Sequence, residues 1–210
     1  HAGDMKYLDL DGNNKIEQTV SANDIKDQRI IGNSLPRYTY SIRLNAEWNG
    51  IDFSMFFQGV GKQDWYPSSD AFAFWGPYSS PAPSFIPKDF LADVWSVDNP
   101  DAYFPRPRGY IAWTDGRSLS SVNNRYLQSL AYCRLKNLTV GYTLPVKWLS
   151  KIHVQKARLY FSGENLLTLD RLDTDYIDPE AAAAGTNWKT GKTNALSYPF
   201  SKTYSFGIDI

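Results

Sequence analysis

The sequence predicts an all-β fold in which long antiparallel strands are joined by short and very long connections in turn. Two observations carry the prediction. Apolar and polar residues alternate with a period of two along several long segments, as they do along strands with unlike faces. Aromatic residues make up 15% of the 210 residues, in a chain of mild overall polarity. Sheets that present one face to an apolar phase and the other to water have this composition.

The composition excludes several classes of protein. The 22 basic and 22 acidic side chains cancel, so the chain lacks the basic excess of a nucleic-acid-binding protein. The one cysteine, Cys133, rules out an intramolecular disulfide framework and a thiolate metal cluster. No run approaches about eighteen apolar residues, so the sequence predicts no transmembrane helix.

The first two strands are predicted over residues 37–48 and 51–61, after a polar and irregular stretch over residues 1–36. Asn49-Gly50 between them is typical of a two-residue type I′ turn, because both residues tolerate a positive φ. Such a turn fixes which residues face each other across the hairpin. The predicted apolar pairs are Trp48 with Ile51, Ala46 with Phe53, Leu44 with Met55 and Ile42 with Phe57.

Residues 62–128 are expected to form a long loop with a role of its own. Eight of the twelve prolines and four of the seven tryptophans fall in this stretch. Prolines interrupt regular structure, and a loop of this length inside a compact domain is usually functional.

Three further strands are predicted over residues 131–144, 154–167 and 202–210. A short link, residues 145–153, joins the first two, and a polar loop, residues 168–199, precedes the last. Long and short connections therefore alternate along the whole chain. Outer-membrane β-barrels have this asymmetry, with short periplasmic turns and long extracellular loops.

In a barrel, the apolar strand faces contact membrane lipid and the polar faces line a wet lumen. Trp48 and Trp148 are then expected near the periplasmic interface, where aromatic rings concentrate. The alternative from a different class is a secreted, calcium-dependent, carbohydrate-binding β-sandwich, in which the apolar faces of two sheets are buried against each other.

Nine short segments along the chain form an ordered set. They lie at 3–7 (GDMKY), 9–12 (DLDG), 30–33 (IIGN), 57–60 (FQGV), 98–102 (DNPDA), 134–145 (RLKNLTVGYTLP), 162–166 (SGENL), 178–180 (DPE) and 204–208 (YSFGI). In this order they resemble the SusC/RagA-type TonB-dependent outer-membrane transporters of Bacteroidetes-like bacteria. No single segment is specific; their ordered combination, which spans almost the whole chain, carries the resemblance.

The resemblance implies that residues 1–210 are the C-terminal portion of a large transmembrane barrel in the outer membrane of a Gram-negative, Bacteroidetes-like bacterium. Five strands cannot close a barrel, which needs about eight. The implied partners are the rest of the barrel and its plug, TonB through the missing N-terminal part, membrane lipid and a SusD-like surface lipoprotein. The implied cargo is a glycan or an oligopeptide.

The long aromatic loop supplies the candidate ligand-binding residues. Flat aromatic faces stack on sugar rings and hold peptide side chains. The candidates are Trp65, Tyr66, Trp75, Tyr78 and Trp113. The alternative is that these rings pack the loop against itself. Trp95, in a segment similar to the family, is expected to be structural.

The sequence gives little support for an enzyme. It has two histidines, His1 and His153, and no nucleophile-elbow or zinc-protease motif. One acidic group of the second long loop is a weak candidate for acid–base chemistry on a glycan, and it comprises Asp170, Asp173, Asp175 and Asp178. We therefore expect a transporter that performs no covalent chemistry and needs no organic cofactor.

The acidic stretch near the start of the chain is a candidate calcium site. Asp9, Asp11 and Asn13 occupy positions 1, 3 and 5 of an EF-hand-like loop, and Lys15 offers its backbone carbonyl at position 7. Asn14 stands at position 6, where such loops have Gly, but Asn also tolerates left-handed geometry.

The closing carboxylate of this candidate site must come from elsewhere. Position 12 is Val20, which cannot supply it, so Asp24 or Asp27 is predicted to fold back onto the loop. Asp27 is the family-like choice, because an acid precedes the Ile-Ile-Gly segment in similar sequences. The alternative is an Asx-rich turn that holds no ion.

Overall fold

The fold was obtained as a computed structural model that describes residues 1–19, 21, 23–79, 86, 88–114, 119, 121–174, 176–185, 192–195, 198 and 200–210. The chain divides into two compact units. The loop unit comprises His1–Ser34, Trp65–Gln128 and Thr186–Leu196, and the sheet unit comprises Leu35–Asp64, Ser129–Gly185 and Ser197–Ile210. The two are described separately below.

Strands dominate the described residues, with a few short helices between them. The strands are β1 (Tyr38–Trp48), β2 (Ile51–Lys62), β3 (Asp64–Pro67), β4 (Gln128–Thr143), β5 (Arg158–Arg171), β6 (Lys192–Thr193) and β7 (Thr203–Asp209). The α-helices are α1 (Phe72–Trp75), α2 (Val146–Leu149) and α3 (Pro179–Gly185). Single 3₁₀ turns cover Gly76–Tyr78, Phe90–Asp93, Gly109–Trp113 and Ser150–Ile152. Among the described residues, no helix is long and apolar enough to cross a membrane.

The sheet unit is an antiparallel sheet in the order β1, β2, β4, β5, β7. The β1–β2 hairpin has the register predicted from its turn, from Trp48 opposite Ile51 to Ile42 opposite Phe57. Asn49 and Gly50 have φ values of 48° and 83°, as a two-residue turn of this hand requires. The turn chemistry and the alternation therefore specify the same pairing.

The fourth long strand lies later in the chain than the predicted residues 154–167. The backbone N–H of Val154 bonds to the carbonyl of Leu149, which ties the residues before β5 into the link. At its other end β5 continues to Arg171, because β4 already begins at Gln128 and offers partners that far. The polar loop predicted over residues 168–199 also contains α3, which begins at Pro179.

One face of the sheet is apolar and largely exposed, most of all on the outer strands β1 and β7. Leu44 is 48% exposed and Phe206 82% exposed, and Leu159 and Ile208 are exposed beside them. A β-sandwich would bury these side chains in a closed core, which this sheet does not do. The exposed face is the one predicted to contact lipid.

The opposite face is polar and carries a charged cluster near the short turns. Arg158 donates two hydrogen bonds to Asp52, at 2.8 and 2.6 Å, and one to Asp209 at 3.0 Å. The Arg158 side chain crosses over Gly141, where a Cβ atom would lie 2.5 Å from the guanidinium Nε. Glycine at this position therefore leaves room for an ion pair that links three strands.

Candidate functional site

The loop unit is built around a core of aromatic rings. Its members are Trp65, Tyr66, Phe74, Trp75, Tyr78, Phe104 and Tyr126, all of them buried. Most ring pairs meet edge to face, as Trp75 does with Phe74 at a centroid distance of 4.8 Å. A short parallel pairing of β3 with β6 lies beside this core, with Tyr66 opposite Lys192. The aromatic residues of the long loop thus make a small folded unit.

Four of the five predicted ligand-binding residues belong to this core. Trp65 and Trp75 donate their indole N–H groups to the carbonyls of Thr193, at 3.2 Å, and Pro67, at 3.3 Å. The Tyr78 hydroxyl donates to the Pro105 carbonyl at 2.5 Å. The Tyr66 hydroxyl accepts from the amide of Asn123 at 3.1 Å. All four rings are buried in this arrangement, so they stabilise the loop unit by packing inside it.

The fifth candidate, Trp113, lies at the edge of the core and keeps some exposure. Its ring meets Trp75 at a centroid distance of 4.9 Å, and its N–H donates to the Tyr78 carbonyl at 2.8 Å. Tyr110, on the same 3₁₀ turn, is 56% exposed. Sequence reasoning missed Tyr110, because a tyrosine in an irregular stretch gives no sign of which way its ring points. Ligand contact by the aromatic set remains a prediction, and these two rings are the accessible ones.

The acidic loop has the backbone geometry of a cation-binding turn. One Asp9 oxygen accepts the Gly12 N–H at 2.6 Å and the other accepts the Asn14 N–H at 2.7 Å. Asn14 has a φ of 61°, the left-handed conformation expected at this position. The Asn13 side-chain oxygen accepts the Lys15 N–H at 2.8 Å. These bonds curl the loop around the side chains that start it.

Asp27, and not Asp24, closes the acidic loop. Its two oxygens accept the backbone N–H groups of Leu10, at 2.6 Å, and Glu17, at 2.7 Å. These bonds hold the pKa of the Asp27 carboxyl below its ordinary value. Asp24 instead pairs with Lys26 at 3.3 Å. Val20, at the position where an EF-hand has its bidentate acid, lies outside the described residues.

The three carboxylates at Asp9, Asp11 and Asp27 are close enough to share one ion. One oxygen from each lies within 4.8 Å of the others. Two oxygens bound to the same calcium at 2.3–2.6 Å are at most about 5 Å apart, so this spacing fits. Calcium binding itself stays a prediction.

A groove of about 1090 Å³ runs beside the acidic loop within the loop unit. Lys6, Tyr7, Gln18 and Arg108 are among its lining residues. Arg108 forms a two-pronged ion pair with Asp4, at 2.9 and 2.7 Å. The groove is polar and bears charges of both signs, which suits a ligand with several hydrogen-bonding groups.

The first residues of the chain are fixed against the middle of the long loop. Gly3 has a φ of 83°, and a Cβ atom there would meet the ring of Trp95. The guanidinium carbon of Arg106 lies 5.9 Å from the Trp95 ring centroid, and the backbone N–H of Arg106 donates to the Gly3 carbonyl at 2.7 Å. Trp95 therefore has the packing role expected for it.

Two members of the acidic group of the second long loop, Asp170 and Asp178, hold their own part of the chain in place. Asp178 is bound to Arg134 and to backbone N–H groups at the start of α3. Asp170 accepts the N–H of Leu172 at 3.1 Å. Asp175 lies outside the described residues.

The amino-acid sequence is similar to that of two curated proteins of Formosa agariphila. TonB-dependent receptor P3 is 31% identical over 214 residues and TonB-dependent receptor P26 is 26% identical over 211 residues. Each comparison covers 99% of this chain and 19% of the relative, so the chain spans about a fifth of the length of these relatives. None of the protein-family models compared with the chain matches it.

The fold is similar to solved structures of the RagAB peptide importer. The open-open state has a TM-score of 0.59 at 23% identity, and covers 96% of this chain and 20% of the other. A second structure, of the RagAB peptide transporter, has a TM-score of 0.58 at 24% identity, and covers 91% of this chain and 19% of the other. At these identities the likeness establishes the fold.

The antiparallel sheet, with its largely exposed apolar face and tight connections at one end, matches a segment of an outer-membrane β-barrel wall. The resemblance of the chain to TonB-dependent receptors is confirmed by these sequence relatives. Receptors of this family are outer-membrane proteins of Gram-negative bacteria.

Proposed function

We propose that the chain is the C-terminal part of the barrel of a SusC/RagA-type transporter that imports a nutrient across the outer membrane. The exposed apolar face of the sheet unit, from Leu44 on β1 to Phe206 on β7, carries this proposal. An exposed apolar face of this kind is suited to contact with membrane lipid. Energy comes from TonB acting through a plug encoded elsewhere in the full protein, and no covalent chemistry takes place.

The loop lengths set the orientation of the proposed transporter. The Asn49-Gly50 turn and the link 144–157 lie at one end of the sheet, where the Thr143 N–H bonds to the Gly50 carbonyl. The connections of β2 to β4 and of β5 to β7 leave from the other end. Short turns face the periplasm and long loops face the outside in such barrels, so we place the long connections outside the cell.

We propose an oligopeptide as the cargo, with a glycan as the competing outcome. The structural relatives are described as peptide importers. The polar groove beside Arg108, the exposed ring of Tyr110 and the half-buried ring of Trp113 offer charge, hydrogen bonds and apolar contact to a peptide. A SusD-like lipoprotein, implied by the resemblance, is proposed to cover these loops.

Uptake by the producing bacterium tests this function. Deleting the gene of the full transporter is expected to lower uptake of labelled oligopeptides at least about tenfold, and a protonophore is expected to do the same to the wild type. Tyr110→Ala is expected to weaken uptake at low peptide concentration, whereas Trp148→Ala, an exposed ring of the short link, serves as the control. Loss of oligosaccharide uptake alone would make a glycan the cargo, and no effect on either class would contradict the function.

We also propose that the acidic loop binds one calcium ion through Asp9, Asp11, Asn13, the Lys15 carbonyl and Asp27. The support is the shared geometry of the three carboxylates and the left-handed Asn14. A hard cation prefers such a set of oxygens. Bound calcium would offset the repulsion among the carboxylates and hold one wall of the groove in place.

A further inference from the structure

The loop after β5 is held to the sheet unit by a network of charged side chains. Residues 176–183, here called the strap, contain the start of α3. Arg134 on β4 donates to Glu180 at 2.8 Å, to Asp178 at 2.5 Å, and to the Thr168 hydroxyl at 2.9 Å. Lys136 donates to the other Glu180 oxygen at 2.8 Å. Two cations thus meet two anions, and the network is neutral.

This network is buried to an unusual degree for charged groups. The side chain of Arg134 is 2% exposed and that of Asp178 is 9% exposed. Ile177, Pro179 and Ala182 of the strap are buried as well. Separating the strap from β4 would leave buried charges without partners, which strongly destabilises a folded state. The network therefore holds the strap and β4 in one arrangement.

The register shows which face of the sheet the strap covers. Arg134 lies opposite Gln58 on β2 and Thr168 on β5. The register shifts by one residue around Lys136, where the β4–β2 and β4–β5 ladders are both irregular. Such a bulge keeps Arg134 on the same side as Asn137, and so on the polar face with Asp52. The strap therefore lies across the polar face, at the end of the sheet from which the long connections leave.

We propose that the strap is a fixed constriction on the lumen side of the barrel wall, and that Arg134 is the positioning residue that holds it there. This inference rests on the proposed function, because it identifies the polar face with the transport path. The strap narrows the path above Asn137 and so limits the size of cargo that reaches the lower barrel. The ring of Phe200, centred 5.0 Å from the Arg134 guanidinium carbon and 4.4 Å from Lys136 Nζ, packs against the same cations.

Graded thiol labelling of the full-length transporter in intact cells tests the proposal without knowledge of the cargo. Asn137→Cys places one thiol on the polar face just below the strap, in a Cys133→Ala background. The probes are a small methanethiosulfonate and a 5-kDa polyethylene glycol maleimide. Arg134→Met removes the cation at similar length, and Lys136→Met removes only the outer half of the network. Asp209→Asn, in the separate Arg158 cluster, is the matched control.

With the strap held, the small probe is expected to label the thiol and the large probe to label it at least about tenfold more slowly. Arg134→Met is expected to remove this difference, Lys136→Met to reduce it, and Asp209→Asn to leave it unchanged. Should Arg134→Met prevent barrel assembly, judged by outer-membrane abundance, Lys136→Met and Glu180→Gln carry the test. An unchanged difference in assembled variants would overturn the constriction. A failure of the proposed function would show instead as normal uptake in the deletion strain, whatever the labelling pattern.

Discussion

Gly59 lies on the apolar face of β2, beneath the ring of Tyr40. Tyr40 reaches across to donate its hydroxyl to the Tyr132 carbonyl at 3.0 Å, and this path leaves no room for a side chain at position 59. A Cβ atom there would overlap the Tyr132 backbone oxygen and lie 2.5 Å from the Tyr40 ring. Backbone cannot move aside as a flexible side chain does. Glycine in the predicted strand is thus explained by its neighbours on the two adjacent strands, β1 and β4.

We therefore expect Gly59→Ala to destabilise the barrel by about 1–3 kcal/mol through overpacking. Gly61→Ala is the matched control, because its nearest neighbour would be the Tyr38 Cβ atom at 3.3 Å. Both variants are compared by the free energy of unfolding in urea, measured on the full transporter after it has been refolded into lipid. Equal effects of the two substitutions would show that the Tyr40 contact does not matter.

Phe206 on β7 gives the second prediction at the scale of the residue. It is 82% exposed on the apolar face. Phe206→Arg places a charge against lipid and is expected to cost about 2–4 kcal/mol near the bilayer midplane. Ser205→Arg, one residue away on the polar face, is expected to be mild. The same refolding assay compares the two, and a larger cost for Ser205→Arg would reverse the assignment of the faces.

At the scale of the element, the acidic loop and Asp27, which closes it, form one proposed calcium site, and calcium binding there can be tested. Calcium that binds only the folded state is expected to stabilise it by about 1.4 kcal/mol at ten times its dissociation constant. Melting of the purified transporter in millimolar calcium and in a chelator measures the shift. Asp9→Asn and Asp27→Asn are expected to abolish the shift, whereas Asp24→Asn is expected to keep it. A shift that survives both of the first two variants would contradict the site.

The aromatic core of the loop unit predicts sensitivity to alkaline pH. Burial raises the pKa of Tyr126 to about 12 and that of Tyr78 further still. In the unfolded chain these hydroxyls ionise near pH 10, so the native state holds more protons above that pH. The stability they contribute is complete below about pH 10 and falls as pH rises toward 12. Absorbance of ionised tyrosine at rising pH, followed beside tryptophan fluorescence, is expected to show a component of buried tyrosines that titrates late. Tyr126→Phe is expected to reduce that component by one tyrosine, because Tyr78 still contributes to it.

At the scale of the whole molecule, the proposed orientation places the two kinds of connection on opposite sides of the membrane. In a Cys133→Ala background, Leu91→Cys, 73% exposed in the loop unit, is expected to react with an impermeant maleimide in intact cells. Lys151→Cys in the short link is expected to react only after the outer membrane is permeabilised. The reverse labelling pattern would show that the barrel has the opposite orientation in the membrane.

The sequence by itself determined the strands of the hairpin, their register and the two unlike faces. Period-two alternation and a two-residue Asn-Gly turn are local properties, so they can be recognised without knowledge of the rest of the fold. It also placed Asn14 in the left-handed conformation and Trp95 in a packing role, and its ordered segments indicated the family. The start of β5 was wrong by four residues, because the bond between Val154 and Leu149 depends on how the link folds.

Only the tertiary structure decided which aromatic rings are buried and which acids meet a cation. Trp75 and Tyr110 are both aromatic residues of the same irregular stretch, and the sequence does not distinguish their burial. Trp75 is enclosed by rings from distant parts of the loop, whereas Tyr110 is exposed. Arg134 and Glu180 are 46 residues apart, and no periodicity links a strand to a loop at that separation. The family resemblance already favoured Asp27 over Asp24, but the backbone N–H groups of Leu10 and Glu17 that hold Asp27 meet it only in the folded chain. These outcomes depend on contacts between segments far apart in the chain, whose positions the local pattern does not fix.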